Sequence, residues 1–309
     1  MPSPLRKLMT DFLEYLEVER GRSARTIRNY HFYLMRFADW AKDPAPKGIT
    51  RDLIHKYRLW LNRNLPGRDE ATIKKNTQNY HLIALRAFLK YLAKHEVASL
   101  SPEQIELSKQ SARVVDFLET DELTRLRAAP AKYAEGLVAL RDRAILELLF
   151  STGLRVSELA ALPIERVNLK QDEFTVRGKG DKPRVVFLSQ DAKDALAPYL
   201  SARRDTSPYL LVSHDRAKKG RGETGPLTPR SIERIVAAYA RQCGITKRIT
   251  PHTLRHTFAT DLLRNGADIR SVQSLLGHAS ITTRQVYTHV TNKQLKEVHK
   301  KFHGKPEVD

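Results

Sequence analysis

Cysteine is almost missing from this chain. Cys243 is the only one in 309 residues, which excludes an intrachain disulfide framework and a cysteine-rich zinc ribbon and fits a reducing compartment. Long apolar runs are missing too. Nowhere do about 18 apolar residues follow one another, so no membrane-spanning helix is expected. The opening MPSPLRKLMTDFLEYL lacks the uninterrupted apolar stretch of a secretory signal, and the expected location is the cytoplasm. Acidic side chains are scarce: 35 Asp and Glu stand against 54 Lys and Arg, a formal net charge of +19. Such an excess points to a polyanionic partner, most often nucleic acid, with solubility alone as the rival reading. What is present is ordinary: an apolar fraction of 41% suffices for packed cores and excludes a disordered chain.

The first hundred residues read as helices. Leu5, Leu8, Met9, Phe12, Leu13 and Leu16 recur at three- and four-residue spacing, the stripe of an amphipathic helix. Ser23 can cap a second helix with Ile27, Tyr30, Leu34 and Phe37 inward. Thr50 opens a third with Ile54, Tyr57 and Leu61, and Thr72 a fourth with Ile73, Tyr80, Ala84, Phe88 and Tyr91. Four such helices can form a small bundle, and their solvent faces carry Arg22, Arg25, Arg28, Lys74 and Lys75. From Ser99 the periodicity fails, and residues 99–118 read as a linker between a domain of 1–98 and one of 119–309. In the second domain Leu140, Ala144, Ile145, Leu148 and Leu149 mark a buried helix that Gly153 should stop. Glu173 to Gly178 and Arg184 to Ser189 look like two strands around a basic Gly-Lys-Gly-Asp-Lys-Pro turn. Thr228-Pro229 and Thr250-Pro251 each start a further helix, and Ser189 can cap another. The fold class expected is mainly α with a small β-sheet: a helical bundle, then a mixed α/β domain.

Several segments could carry chemistry. In TPHTLRHTFAT, a cap at Thr250 sets His252 and Arg255 three apart near a helix N-terminus, where imidazole, guanidinium and helix dipole would suit a phosphate. His252 and His256 are four apart, but the zincin pattern needs Glu where Thr253 stands, so no metal site is expected. Arg155, directly after the Gly153 break, needs an anionic partner, either Glu158 or a ligand. Leu275-Leu276-Gly277-His278 ends a short helix begun by Asp268, and Tyr287 follows closely. Each signal alone has a bland structural reading; their combination in this order does not.

The ordered set of Arg155 in TGLRVSEL, His252, Arg255 and His256 in HTLRH, then LLGHAS, then Tyr287 in TRQVYTHV resembles the tyrosine recombinases. The likeness is greatest to Xer-type recombinases and their single-chain integrase relatives, and residues 1 to about 105 resemble the family's SAM-like core-binding domain. That resemblance implies an enzyme that cuts and rejoins double-stranded DNA as a C-shaped clamp, needing neither metal, ATP nor other cofactor. Tyr287 would attack the scissile phosphate to give a 3′-phosphotyrosyl link and free a 5′-hydroxyl. Arg155 and Arg255 would hold the non-bridging oxygens. Lys179, on the hairpin turn, would protonate the leaving 5′-oxygen. His252 would assist proton transfer at the tyrosine, His278 would donate to a phosphate oxygen, and Glu158 would support its neighbours. A free tyrosine has a pKa of about 10 and needs a base or cationic field to act at neutral pH. Fixed guanidinium forks suit the charge that develops on the phosphate.

The resemblance further implies four protomers on two sites, as a homotetramer or heterotetramer, and strand exchange through a Holliday junction; activation by a septal DNA translocase stays an open alternative. Thr291-Asn292-Lys293-Gln294 reads as a capping box for a last helix that docks on a neighbouring protomer, so truncation after Thr291 should spare DNA binding and abolish assembly. A chain that begins at the helical domain favours a Xer-type or simple integrase role over a large phage integrase. A mobile-element integrase, a type IB topoisomerase, a non-catalytic DNA-binding module and a metal-dependent nuclease are the rival readings. Arg25, Arg28, Lys74 and Lys75 are candidate phosphate contacts. Binding to duplex DNA should therefore weaken steeply with salt as several phosphates are neutralised; a filter-binding titration against salt checks this, and a flat profile would overturn it.

Overall fold

The computed structural model describes residues 3–67, 72–108, 116–178, 183–214 and 225–277. The chain divides into two compact units, Met1–Ala112 and Arg113–Asp309, each with its own hydrophobic core. Among the described residues no helix is long and apolar enough to cross a membrane.

The first unit is built on α1 (Pro4–Val18), α2 (Ala24–Ala41), α3 (Arg51–Asn64) and α4 (Lys75–Lys94). The first three start where a hydroxyl can take an orphan backbone N–H: Ser3 accepts from Arg6 N, Ser23 from Thr26 N and Thr50 from Leu53 N. Their apolar stripes meet around Phe12, Phe37, Tyr57 and Phe88, with Phe37 and Tyr57 packed edge to face at 5.1 Å. The fourth helix departs from its expectation. It starts at Lys75 rather than at Thr72, because Ile73 N–H is taken by Leu65 C=O (3.1 Å) and Gln78 Nε2 donates to Asn62 Oδ1 (2.9 Å), fixing the entry before the helix begins. The inward face consequently runs through Leu82, Leu85, Phe88, Leu89 and Leu92, and Tyr80 points outward, 52% exposed.

Residues 99–108 pack onto α4 although they carry no helical periodicity. Pro102–Gln104 is a single 3₁₀ turn, Ile105 is fully buried, and the Asn79 side chain clasps Ser108 through its N–H (3.1 Å) and C=O (2.9 Å).

The second unit packs around one deeply buried helix. Its elements are α5 (Thr120–Tyr133), α6 (Gly136–Thr152), α7 (Val156–Ala160), β1 (Glu173–Arg177), β2 (Pro183–Phe187), α8 (Gln190–Ala202), α9 (Pro229–Gln242), α10 (Pro251–Arg264) and α11 (Ile269–Leu276). Ala144, Ile145, Leu146, Leu148 and Leu149 bury several faces of α6, which suits a helix enclosed by α5, α8, α9 and α10. Its buried polar groups are bonded, as burial requires: Arg127 donates to Glu147 (2.9 Å) and Tyr239 Oη to Asp142 (2.9 Å). The strands pair antiparallel from Glu173 opposite Phe187 to Arg177 opposite Pro183. The second strand stops at Phe187, two residues short of its expected end, because Ser189 Oγ accepts from Ala192 N to cap α8. The fold is thus mainly α with one small sheet.

Both tryptophans, Trp40 and Trp60, lie in the first unit, their rings 6.1 Å apart. Ile105→Ala should destabilise that unit by about 2–5 kcal/mol, read as an earlier tryptophan-fluorescence transition in urea; an unmoved midpoint would show that Ile105 adds nothing to this core.

Candidate active site

The site begins where α6 is made to stop. Gly153 takes a left-handed backbone (φ 59°), and a Cβ there would lie 2.6 Å from Phe258 Cδ1, so both backbone and space require glycine. The break turns the chain so that Arg155 becomes the N-cap of α7. Glu158, at the third position of that helix, accepts from Arg155 backbone N–H at 2.8 Å and from its Nη1 at 2.9 Å. Arg155 Nη2 donates to the carbonyl of Gly277 at 3.2 Å. The Arg155 side chain stays 31% exposed while Glu158 is 9% exposed, so the guanidinium faces outward over a covered carboxylate.

Arg255 is held differently. Thr250 caps α10 through Thr253 N–H (3.2 Å), with Pro251 at the first helical position, and one turn later Arg255 is 3% exposed. Its Nη1 donates to Gly153 C=O and its Nη2 to Leu276 C=O. Both acceptors sit at helix C-termini, of α6 and α11, where carbonyls lack intrahelical partners and the helix dipole is negative. Such acceptors meet guanidinium donors with partial negative charges.

Gly277 closes α11 in the same left-handed conformation (φ 60°). A Cβ there would lie 3.0 Å from Arg184 Cδ. From β2, Arg184 forks onto Glu158, Nη1 to Oε1 at 2.9 Å and Nη2 to Oε2 at 2.6 Å. Each Glu158 oxygen thus accepts twice. Burial alone would raise the Glu158 pKa, but the Arg184 fork and the Arg155 bonds outweigh it and hold the carboxyl down at about 2. Glu158 is therefore held as an anion at neutral pH.

His252 lies exposed near the start of α10, and His256 is buried one turn on. Their Nε2 atoms are 3.0 Å apart, so one ring donates to the other.

Of the residues singled out from sequence, Arg155, Glu158 and Arg255 meet around the ends of α6 and α11, with His252 on the same helix as Arg255. Lys179, His278 and Tyr287 lie outside the described residues. Arg25, Arg28, Lys74 and Lys75 are exposed on the first unit, at the starts of α2 and α4. Sequence reasoning missed Arg184; the four-residue spacing of His252 and His256 was already visible in it. The signal for Arg184 was strand alternation: Val186 is buried between exposed Val185 and Phe187, which turns Arg184 inward too.

Comparison with known proteins accords with this geometry. Residues 116–294 match the family described as "Phage integrase family", and residues 9–96 match "Phage integrase, N-terminal SAM-like domain". The chain is 40% identical over 307 residues to a protein of Pelobacter propionicus named "Tyrosine recombinase XerC", covering 98% of this chain and 97% of that one. It is 37% identical over 308 residues to a "Tyrosine recombinase XerD" of Listeria monocytogenes, covering 96% and 98%. Among solved structures, a XerA recombinase is similar at 32% identity and a TM-score of 0.52, covering 98% of this chain and all of that one. A XerH recombinase bound to its DNA substrate shares the fold at a TM-score of 0.71 and 23% identity, covering 94% and 83%. This chain belongs to the phage integrase family and is a site-specific tyrosine recombinase of the Xer type, an enzyme that cuts and rejoins DNA.

Proposed function

We propose that the chain resolves joined circular DNA, chromosome or plasmid dimers, by exchanging strands between two copies of a recombination site on duplex DNA. The observation that carries this reading is the pair Arg155 and Arg255, whose guanidinium groups are both held by carbonyls at the ends of α6 and α11. Such a pair suits the non-bridging oxygens of a scissile phosphate. In the proposed step the Tyr287 oxygen attacks phosphorus, a 3′-phosphotyrosyl bond forms and the bond to the 5′-oxygen breaks. Lys179 gives that oxygen its proton. His252 serves the tyrosine's proton, and His278 donates to a phosphate oxygen. The reverse step, with the 5′-hydroxyl of the partner strand, rejoins DNA without ATP because the phosphotyrosyl link conserves the diester energy. Arg25, Arg28, Lys74 and Lys75 are proposed phosphate contacts of the first unit. Paired exchange calls for four protomers on two sites, all of this chain or shared with a second recombinase, with a DNA translocase as activating partner in the cytoplasm. The XerC and XerD names of the relatives support this role.

The test is a nicked suicide duplex carrying the native site or a selected binding sequence, incubated in chelator without ATP. Wild type should give a covalent protein–DNA band that Tyr287→Phe lacks; no band despite tight binding would overturn the mechanism. On a supercoiled circle with two sites in direct repeat, two smaller circles are expected, whereas relaxation without exchange would indicate a topoisomerase. The pH dependence of folding follows from Glu158. Its folded pKa, about 2, lies below the ordinary 4.5, so its contribution is complete above about pH 4.5 and is lost as pH falls toward 2. Glu158→Gln should flatten the melting temperature over that range; an unchanged acid limb would refute the assignment.

A further inference from the structure

Arg184 belongs to none of the roles assigned so far, yet both of its terminal nitrogens donate to the one carboxylate at the centre of the site. Its side chain is 8% exposed, more deeply placed than Arg155 at 31%, and both share the one carboxylate of Glu158. Without Arg184, Arg155 and Glu158 would form a neutral pair with little net attraction for an anion. With it, two guanidinium charges face one carboxylate, and the inner one neutralises Glu158 so that the outer one keeps its charge. The geometry is held from the far side as well. Arg184 packs on Gly277, whose missing Cβ leaves room for its Cδ, and Gly277 C=O is the other acceptor of Arg155. Arg184 Nε is buried with no hydrogen-bond partner, a cost normally avoided. The side chain is therefore placed by its fork on Glu158 and its contact with Gly277 at the expense of its own bonding.

We propose that Arg184 is a positioning residue for the cleavage step: by clamping Glu158 it fixes the Arg155 guanidinium and leaves it a net positive charge to offer the scissile phosphate. This rests on the assignment of Arg155 to the phosphate. A structural ion pair alone would stabilise the fold without altering how the enzyme responds to charge on the phosphate. The two roles therefore separate chemically. A methylphosphonate at the scissile position removes one non-bridging oxygen and its charge, which lessens the need for Arg155. A bridging 5′-phosphorothiolate instead supplies a better leaving group, which lessens the need for the general acid.

The experiment is single-turnover cleavage of three suicide substrates (phosphodiester, methylphosphonate and 5′-phosphorothiolate) by wild type, Arg184→Met, Arg184→Lys and Arg155→Met. Arg184→Met should cleave the diester on the order of 10²-fold more slowly, as for a small misplacement of a group at the reacting centre, with unchanged affinity for the site. Arg184→Lys, which keeps the cation but not the fork, should recover part of that loss. On methylphosphonate the Arg184→Met defect should shrink to within a few-fold of wild type, as for Arg155→Met, while on phosphorothiolate it should persist. A defect equal on diester and methylphosphonate, or one cured by the thiolate, would overturn the proposal. So would wild-type cleavage by Arg184→Met. If Arg155→Met itself cleaves the diester normally, the assignment of Arg155 fails instead, and that lane shows it separately.

Discussion

A guanidinium taken out of water must have its donors bonded, but an arginine meant to hold a phosphate must not have its charge cancelled. The second unit seats its site arginines against helix ends. A helix C-terminus offers orphan carbonyls and the equivalent of about half a negative charge, enough to seat a cation and too little to neutralise it. Arg255 takes one carbonyl from the end of α6 and one from the end of α11. Arg155 takes the next carbonyl of α11 and shares Glu158 with Arg184. Where those two helices stop, and in which direction their last carbonyls point, therefore decides whether the site exists.

That requirement explains the two glycines. At Gly153 and Gly277 the left-handed turn ends the helix and directs its last carbonyls at the arginines. Each position also lacks room for a side chain, against Phe258 in one case and Arg184 in the other. Glycine in a folded chain costs conformational entropy, and here that cost is offset by α6, whose burial among α5, α8, α9 and α10 fixes one of the two ends. The core thus acts on the chemistry by setting the place and direction of a carbonyl.

Much of this was legible in the sequence, for reasons that can be named. The Ser23, Thr50 and Thr250 caps, the Gly153 stop and the period of α1 are local, and local chemistry decides them. The start of α4 was not, because it depends on a bond from Ile73 to Leu65 across the preceding connection. Ile105 escaped because a single buried side chain on a non-helical stretch leaves no period to read. Arg184 escaped because a cation in a strand reads as solvent-facing until its alternation with Val186 is weighed. Only the structure brings Glu158 to it, across 26 residues of chain.

The segments around Arg155, Arg255 and Gly277 are individually weak signals, and the geometry explains why their combination is strong. Each supplies part of a contact that another completes. Gly153, two residues before Arg155, gives the carbonyl that Arg255 binds from 102 residues away. Leu276 gives the second carbonyl for Arg255, and Gly277 gives one to Arg155 from 122 residues away. A glycine-arginine step, a helix-borne arginine and a leucine-glycine helix end are each common for structural reasons. Found together and in this order, they are the separated parts of one hydrogen-bonded unit. Each of its parts supplies a contact that another completes, and that mutual dependence makes the pattern specific.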